Sequence, residues 1–208
     1  MADIFDLFKK IEKSPAHAAE PVSFVIVGLG NPGPEYVFTR HNAGFLVLDY
    51  VCQKLNVKID RSKFKSLVGE ATIGGKRCLL VKPQTYMNAS GEAVREVLDF
   101  YKLDTSALLV ICDDVNLDPG KVRVRKKGSD GGQRGLRSII TELGTDAFTR
   151  LRMGVGAKPH PDYDMADWVL GTFNDEDKKS VFSAIERAYG GLDLLVRGDI
   201  DRAMNLLN

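Results

Sequence analysis

Residues 22–30 read VSFVIVGLG, an apolar run rich in β-branched residues that ends in a glycine turn. Such a run predicts a buried β-strand. Residues 44–55, GFLVLDYVCQKL, then repeat apolar side chains at helical spacing, which predicts an α-helix. A strand, a loop and a helix in this order favour an α/β fold.

Strand and helix patterns continue along the chain. The segments SLVGEATI and KRCLLVKP flank Gly74-Gly75, a two-residue turn signal that predicts an antiparallel hairpin. The run ALLVICDD at residues 107–114 is apolar at consecutive positions, which is typical of a buried central strand. Ser90 is predicted to be the N-cap of a second helix. That helix is expected over 90–103, and the other expected elements are strands at 122–127 and 151–156 and helices at 133–143 and within 174–190.

These elements predict one α/β domain over residues 22–208. Its sheet is expected to be mixed and twisted, mostly parallel with an antiparallel hairpin, and flanked by helices on both faces. Residues 1–21 are expected to be an N-terminal appendage. Within it, residues 3–13 place four apolar side chains on one face of a short amphipathic helix, namely Ile4, Leu7, Phe8 and Ile11.

The cysteines and the hydropathy exclude several classes of protein. Cys52, Cys78 and Cys112 are scattered and odd in number, which indicates neither a disulfide framework nor a clustered metal site. No apolar run approaches the length needed to span a bilayer, and the N-terminus lacks a signal-peptide core. We therefore expect a cytoplasmic protein with no membrane partner, no metal and no cofactor.

Charge is unevenly distributed although the net charge is only +1. Residues 121–158 hold 10 basic and 3 acidic side chains. Such a segment is either a footprint for a polyanion or a solvated charged face. Within it, Arg123 and Arg125 fall on one face of a strand, and GSDGGQRG at 128–135 offers free backbone amides before a helix, as in a phosphate cradle.

The loop GLGNPG at residues 28–33 matches the dinucleotide fingerprint G-x-G-x-x-G. The match is weak, because Pro32-Gly33-Pro34 cannot continue the helical turn that holds a pyrophosphate. The acid expected about 20 residues further on also falls inside a helical pattern. We therefore interpret GLGNPG as a rigid loop that presents Asn31 at the carboxyl end of the first strand.

His41, in TRHNAGF at residues 39–45, is placed at the same edge of the sheet. A histidine there is often a helix cap or a surface residue. Asp113, however, ends the buried strand 107–114, and it can orient one imidazole nitrogen and leave the other basic. The alternative for Asp113-Asp114 is an Asx turn, and each acid can take one role. Because no G-x-S-x-G elbow is present, water activated by His41 is the simpler nucleophile.

Residues 83–91, PQTYMNASG, lie at another strand-to-helix corner. Taken alone, Asn88 is as consistent with a helix cap as with a binding residue. Tyr86 and Met87 are likewise as consistent with core packing as with a pocket. Together with Tyr36 and Asn31 they predict a pocket whose amides meet a polar chain and whose aromatic rings meet a base or ribose.

Four motifs taken together resemble the bacterial peptidyl-tRNA hydrolase family in order and spacing. They are VGLGNPGPEYVFTRHNAGF, VKPQTYMNASGEAV, ICDDVNLDPG, and GSDGGQRGLRSII followed by LRMGVG. The resemblance runs from about Val22 to the last helix. It implies a monomeric, metal-free α/β enzyme, with no obligate protein partner, that releases tRNA from peptidyl-tRNA.

The resemblance also implies roles for individual residues. His41 matches the catalytic base, Asp113 the acid that holds it, and Asn31 the residue that distinguishes N-blocked from free aminoacyl-tRNA. The positions that match contacts to tRNA are Tyr36, Tyr86 and Asn88 with Met87 packed beside them, and the basic residues Arg123, Arg125, Arg152 and Lys158.

Three features depart from the family pattern. Gly132-Gln133-Arg134-Gly135 stands where many members have G-H-N-G, Asn116 stands where an acid is usual, and residues 1–21 are extra. Arg134 is expected either to point into the cleft or to turn outward into the basic surface. The competing function is a non-catalytic RNA-binding protein of the same fold, and a nucleotide-dependent enzyme is a third alternative.

Overall fold

The computed structural model describes residues 20–208, so the amphipathic helix expected over residues 3–13 lies outside the described part of the chain. The described residues form one seven-stranded sheet in the order β2-β3-β4-β1-β5-β7-β6. Its strands are β1 (Phe24–Gly28), β2 (Arg61–Lys63), β3 (Ser66–Ile73), β4 (Lys76–Pro83), β5 (Leu108–Asp114), β6 (Val122–Arg125) and β7 (Thr149–Gly154).

The centre of the sheet is parallel and its edges are antiparallel. Strands β4, β1, β5 and β7 run parallel to one another, whereas β2, β3 and β6 join antiparallel. The predicted hairpin is confirmed, because Ile73 pairs with Lys76 around Gly74-Gly75. Both glycines have positive φ angles, 57° and 77°, as a tight hairpin turn requires.

Residues 20–208 contain six α-helices: α1 (Ala43–Leu55), α2 (Ser90–Tyr101), α3 (Arg134–Leu143), α4 (Met165–Leu170), α5 (Asp175–Arg197) and α6 (Ile200–Leu207). Five of them cover the sheet and confirm the expected mixed sheet with helices on both faces. Side chains from α1, α5 and α6 pack on one face with Phe24 and Ile26. Side chains from α2 and α3 pack on the other face with Val25 and Val27, as strand alternation requires.

Two local predictions were wrong. Ser90 is not an N-cap but the first residue of α2, because a 3₁₀ turn at Met87–Ala89 leads directly into the helix. Its buried hydroxyl donates to the carbonyl of Met87. The last predicted helix, expected within 174–190, is α5, which continues to Arg197 and is followed by a further helix, α6. A Cβ at Gly191 would lie 2.5 Å from Leu207, so this glycine permits close packing of α6 instead of ending a helix.

Close contact between backbones brings the loop after β1 and the start of α1 together. A Cβ at Gly28 would lie 2.4 Å from the carbonyl oxygen of Gly44, and a Cβ at Gly44 would lie 2.3 Å from that of Ile111. Only glycine permits these approaches. The start of α1 is therefore held against the carboxyl ends of β1 and β5. None of the helices formed by residues 20–208 combines the length and apolar sequence needed to cross a membrane.

Candidate active site

A cavity of about 390 Å³ opens at the carboxyl edge of the parallel strands. Ligands of open α/β sheets bind in this position, because loops from several strands converge there. Most of the residues singled out from the sequence or its family departures line it, among them Asn31, His41, Tyr86, Met87, Asn88, Asp113, Asp114, Gln133, Arg134 and Arg152.

His41 and Asp113 form a buried pair in this cavity. His41 lies in a 3₁₀ turn, Arg40–Asn42, directly before α1. Asp113 is the second-last residue of β5. Nδ1 of His41 is 2.9 Å from Oδ2 of Asp113, and the residues are 8% and 3% exposed. A carboxylate can only accept, so Nδ1 carries the proton and Nε2 keeps its lone pair. The arrangement has the chemistry of a general base with its orienting acid.

The two acids at the end of β5 point to opposite faces of the sheet and have different partners. Asp114 accepts from the backbone N–H of Asn116 at 3.0 Å, which is the Asx turn, and pairs with Nε of Arg152 at 2.9 Å. Cys112 precedes them and is fully buried. Burial raises the pKa of its thiol, so it remains protonated and is a poor nucleophile.

The amide of Asn31 has a fixed orientation. Its Oδ1 accepts the backbone N–H of Met87 at 2.8 Å, which leaves Nδ2 as the donor available to a ligand. Asn42 holds the Asn31 backbone from the other side, accepting from its N–H at 2.8 Å and donating to its carbonyl at 3.0 Å. Sequence reasoning missed Asn42, because nothing in TRHNAGF shows that its side chain turns back to the glycine loop.

Gln133 also has a role that the sequence did not reveal. Its Nε2 donates to Oδ1 of Asp113 at 3.0 Å, while its Oε1 accepts the backbone N–H of Leu136 at 2.7 Å. Both oxygens of Asp113 are therefore hydrogen-bonded, one to His41 and one to Gln133. The change from G-H-N-G to G-Q-R-G marked the position as unusual, but only the fold shows that it contacts Asp113.

The aromatic and amide residues of the predicted pocket occupy its mouth and floor. Tyr86 is 58% exposed and makes an edge-on contact with Tyr36, with 6.5 Å between ring centroids. Tyr36 reaches the cavity only through Tyr86, since it does not line the wall. Met87 is buried, as the core alternative expected, yet it also forms the floor. Asn88 is exposed at the rim.

The basic residues form a row that leads away from the cavity. Arg123 lies opposite Arg152 in the β6–β7 register, and Arg125 lies opposite Arg150. Cross-strand partners point to the same face, so Arg123 and Arg125 share the face of Arg152. Lys158 follows the end of β7, and its ammonium group donates to the carbonyl oxygens of Pro161 and Tyr163 in its own loop.

Arg134 is exposed at the first residue of α3. It lines the cavity and also a second depression, of about 510 Å³, between α2 and α3. Its position at the rim is compatible with both of the alternatives expected from the sequence.

Arg40 anchors the segment that closes the cavity on its apolar side. Its guanidinium carbon lies 3.6 Å from the ring centroid of Trp168, and Nη1 donates to the Trp168 carbonyl at 3.3 Å. Burial lowers the pKa of this guanidinium. The anchored helix α4 contributes Met165, Ala166, Val169 and Leu170 to the cavity wall. Sequence reasoning missed this helix because it has only six residues.

The fold and the histidine–carboxylate pair in its cavity place the chain in the class of α/β enzymes. Among residues 20–208, no group of three histidine, cysteine or acidic side chains is arranged to hold a metal ion. Comparisons with known proteins define the class further.

The family model for peptidyl-tRNA hydrolase matches residues 25–208. The peptidyl-tRNA hydrolase of Caldicellulosiruptor bescii is 53% identical over 187 residues, which cover 90% of this chain and 97% of that protein. That of Lachnospira eligens is 49% identical, covering 89% and 99%. A crystal structure of peptidyl-tRNA hydrolase from Acinetobacter baumannii matches with a TM-score of 0.84 at 35% identity, covering 91% and 97%. The chain belongs to the peptidyl-tRNA hydrolase family.

Proposed function

We propose that this protein hydrolyses the ester bond between the peptide and the tRNA of peptidyl-tRNA. Membership of the family supports this reaction, and the buried pair of His41 and Asp113 carries the proposal in the structure. Hydrolysis of an ester requires, first, an activated water and, second, a proton donor for the departing ribose oxygen. A histidine whose Nε2 faces a 390 Å³ cavity supplies the first requirement.

The proposed reaction proceeds through a tetrahedral intermediate. Nε2 of His41 takes a proton from water while the water oxygen attacks the ester carbonyl carbon. Asp113 stabilises the imidazolium that forms. The bond from carbon to the ribose oxygen then breaks, and the imidazolium returns its proton to that oxygen. The products are tRNA with a free ribose hydroxyl and a peptide with a free carboxylic acid, which loses its proton to water. A positioned base of this kind contributes about 10²–10⁴-fold to the rate.

Asn31 is proposed to select substrates whose amino group is blocked. Its Nδ2 is the donor left free by the bond to Met87. A peptide presents an amide carbonyl, which accepts from such a donor, whereas a free aminoacyl group presents an ammonium, which can only donate. Two donors facing each other cost free energy, because neither is satisfied. The orientation of one amide therefore accounts for selectivity without a charged group.

The row of arginines on β6 and β7 is proposed to hold the phosphate backbone of the tRNA. Arg123 and Arg125 are half-buried along one face, and neither has an ion-pair partner among residues 20–208. Arg152 continues the row to the cavity wall. Such contacts give affinity and register, while the cavity gives chemical selectivity. We further expect the protein to act as a cytoplasmic monomer.

The direct test is to incubate the purified protein with an N-acetylated aminoacyl-tRNA and, separately, with the same aminoacyl-tRNA unblocked. Release of free tRNA from the blocked substrate alone is the expected result. Binding of both substrates without release from either would instead make the protein a non-catalytic RNA-binding member of the fold.

A further inference from the structure

Gln133 joins two parts of the cavity that come from distant parts of the chain. It is 9% exposed and lies between β5 and the start of α3. One end of its amide meets the backbone of α3, and the other meets the carboxylate of Asp113. The same Nε2 lies 3.2 Å from the sulfur of Met87, whose backbone N–H is held by Asn31.

The orientation of the Gln133 amide is fixed from both ends. The backbone N–H of Leu136 requires an acceptor, so the atom 2.7 Å away is the oxygen. An ionised carboxylate requires a donor, so the atom 3.0 Å from Asp113 is the nitrogen. A flipped amide would break both hydrogen bonds. The helix backbone therefore keeps a donor aimed at Asp113.

We propose that Gln133 is a positioning residue that fixes the carboxylate of Asp113 against His41. This role rests on the proposed function, because it concerns the same histidine–carboxylate pair. Without the donor, Oδ1 of Asp113 has no other partner among the described residues, and the carboxylate can rotate about its terminal bond. The donor also moderates the negative charge that His41 experiences. An amide performs both tasks at every pH, because it does not titrate.

Two variants separate the bond to Asp113 from the helix cap. Gln133→Glu has the same shape and still accepts from Leu136, but it replaces the donor with an oxygen that repels Asp113 once ionised. Gln133→Met removes both the donor and the cap. Asn174→Ala is the matched control for lost capping, because Asn174 accepts from the Asp177 N–H at the start of α5 in the same way.

The other ionisable groups around His41 and Asp113 are the same in the parent and in the three variants. A difference in the His41 titration between the parent and a Gln133 variant therefore reports on position 133. These other groups are Cys112 and Asp114 on β5, Arg152 on β7, Arg134 on α3, Arg40 beside His41, and Tyr86 at the mouth.

The first readout is the titration of the His41 ring protons by NMR, assigned among the three histidines with His41→Ala. This readout does not require activity. In Gln133→Glu the new carboxyl group lies about 3 Å from Asp113, so the two share a proton until the pH is high enough to ionise both. The added charge then stabilises the imidazolium, and we expect the His41 midpoint to rise by up to about one pH unit. Gln133→Met should give a smaller rise, and Asn174→Ala none. A midpoint equal to that of the parent in both Gln133 variants would overturn the proposal and leave Gln133 as a helix cap.

The second readout is the pH dependence of hydrolysis of an N-acetylated aminoacyl-tRNA. The acidic limb for Gln133→Glu should move upward with the NMR midpoint, and kcat for Gln133→Met should fall about tenfold with KM nearly unchanged. Parent-like kcat and limb in both variants would contradict the role. An inactive parent with shifted NMR midpoints would sink the proposed function while leaving the positioning role in place.

Discussion

The side-chain oxygen of Asn31 accepts the backbone N–H of Met87 at 2.8 Å. This bond joins the loop after β1 to the loop after β4, and it decides which end of the Asn31 amide faces the cavity. Because the oxygen is used, the NH₂ group is the end of the amide left to donate to a ligand. In the proposed function, selectivity for blocked amino groups depends on this hydrogen bond, although the substrate takes no part in it.

Asn31→Asp is predicted to weaken this selectivity. Aspartate keeps the acceptor for Met87 but turns a charged oxygen toward the substrate, where it attracts a free ammonium and repels a carbonyl. We expect kcat/KM for a blocked substrate to fall about 10–100-fold, and the ratio of blocked to free hydrolysis to shrink. Asn205→Asp adds the same charge on the exposed part of α6 and is the control. An unchanged ratio of blocked to free hydrolysis would show that Asn31 does not take part in substrate recognition.

Asp113→Asn is predicted to reduce kcat by about 10²–10⁴-fold. An asparagine that keeps its oxygen on His41 must turn its NH₂ toward the NH₂ of Gln133, so two donors face each other. The alternative orientation presents a donor to Nδ1 and stabilises the wrong tautomer. Single-turnover rates on an N-acetylated aminoacyl-tRNA test this expectation. If the rate and its pH profile match the parent, Asp113 takes no part in catalysis.

Neutralising Arg123 and Arg125 together is predicted to weaken tRNA binding and flatten its salt dependence. Each lost phosphate contact lowers the slope of log affinity against log salt concentration by about 0.7–0.9. The ratio of blocked to free hydrolysis should stay the same. Titrations at several salt concentrations test this, with the double alanine variant of Arg187 and Arg197 on α5 as control. A slope equal to the parent's would show that the tRNA-binding surface does not include β6.

Arg134 is predicted to act within the cavity, where it meets either a phosphate near the acceptor end or the developing oxyanion. Arg134→Ala should then lose about tenfold or more in kcat/KM on a blocked amino acid carried by a short acceptor fragment. Arg134→Asn should recover part of this loss. If both variants are impaired only with whole tRNA, and only at low salt, Arg134 is one more backbone contact on the outer surface.

Much of the fold could be predicted because its strands and helices differ clearly in hydrophobic period. Apolar runs indicated β1 and β5, and Gly74-Gly75 indicated the hairpin. Helix α4 has too few residues to show a period. The sequence pattern predicts a helix within 174–190, whereas α5 continues through Gly191, whose packing partner Leu207 follows 16 residues later. Local sequence patterns do not reveal contacts between residues that are distant in the chain.

The sequence predicts many of the residues that form the candidate site, but it does not predict the hydrogen bonds that connect their side chains. Asn31, His41 and Asp113 each follow a strand or precede a helix at one sheet edge, so topology brings them together. Asn42, Gln133 and Arg40 act through side-chain contacts across 11, 20 and 128 residues of sequence. Nothing in the local sequence specifies these partners, and only the folded chain shows them.

The most direct test of the His41 base is a comparison of His41→Ala with the parent under single-turnover conditions. The substrate is an N-acetylated aminoacyl-tRNA, and its binding is measured in parallel. Because Arg123 and Arg125 do not line the cavity that holds His41, we expect the dissociation constant to stay within about twofold while the hydrolysis rate falls by about 10²–10⁴-fold. A variant that binds normally and turns over at close to the parent rate would contradict the mechanism.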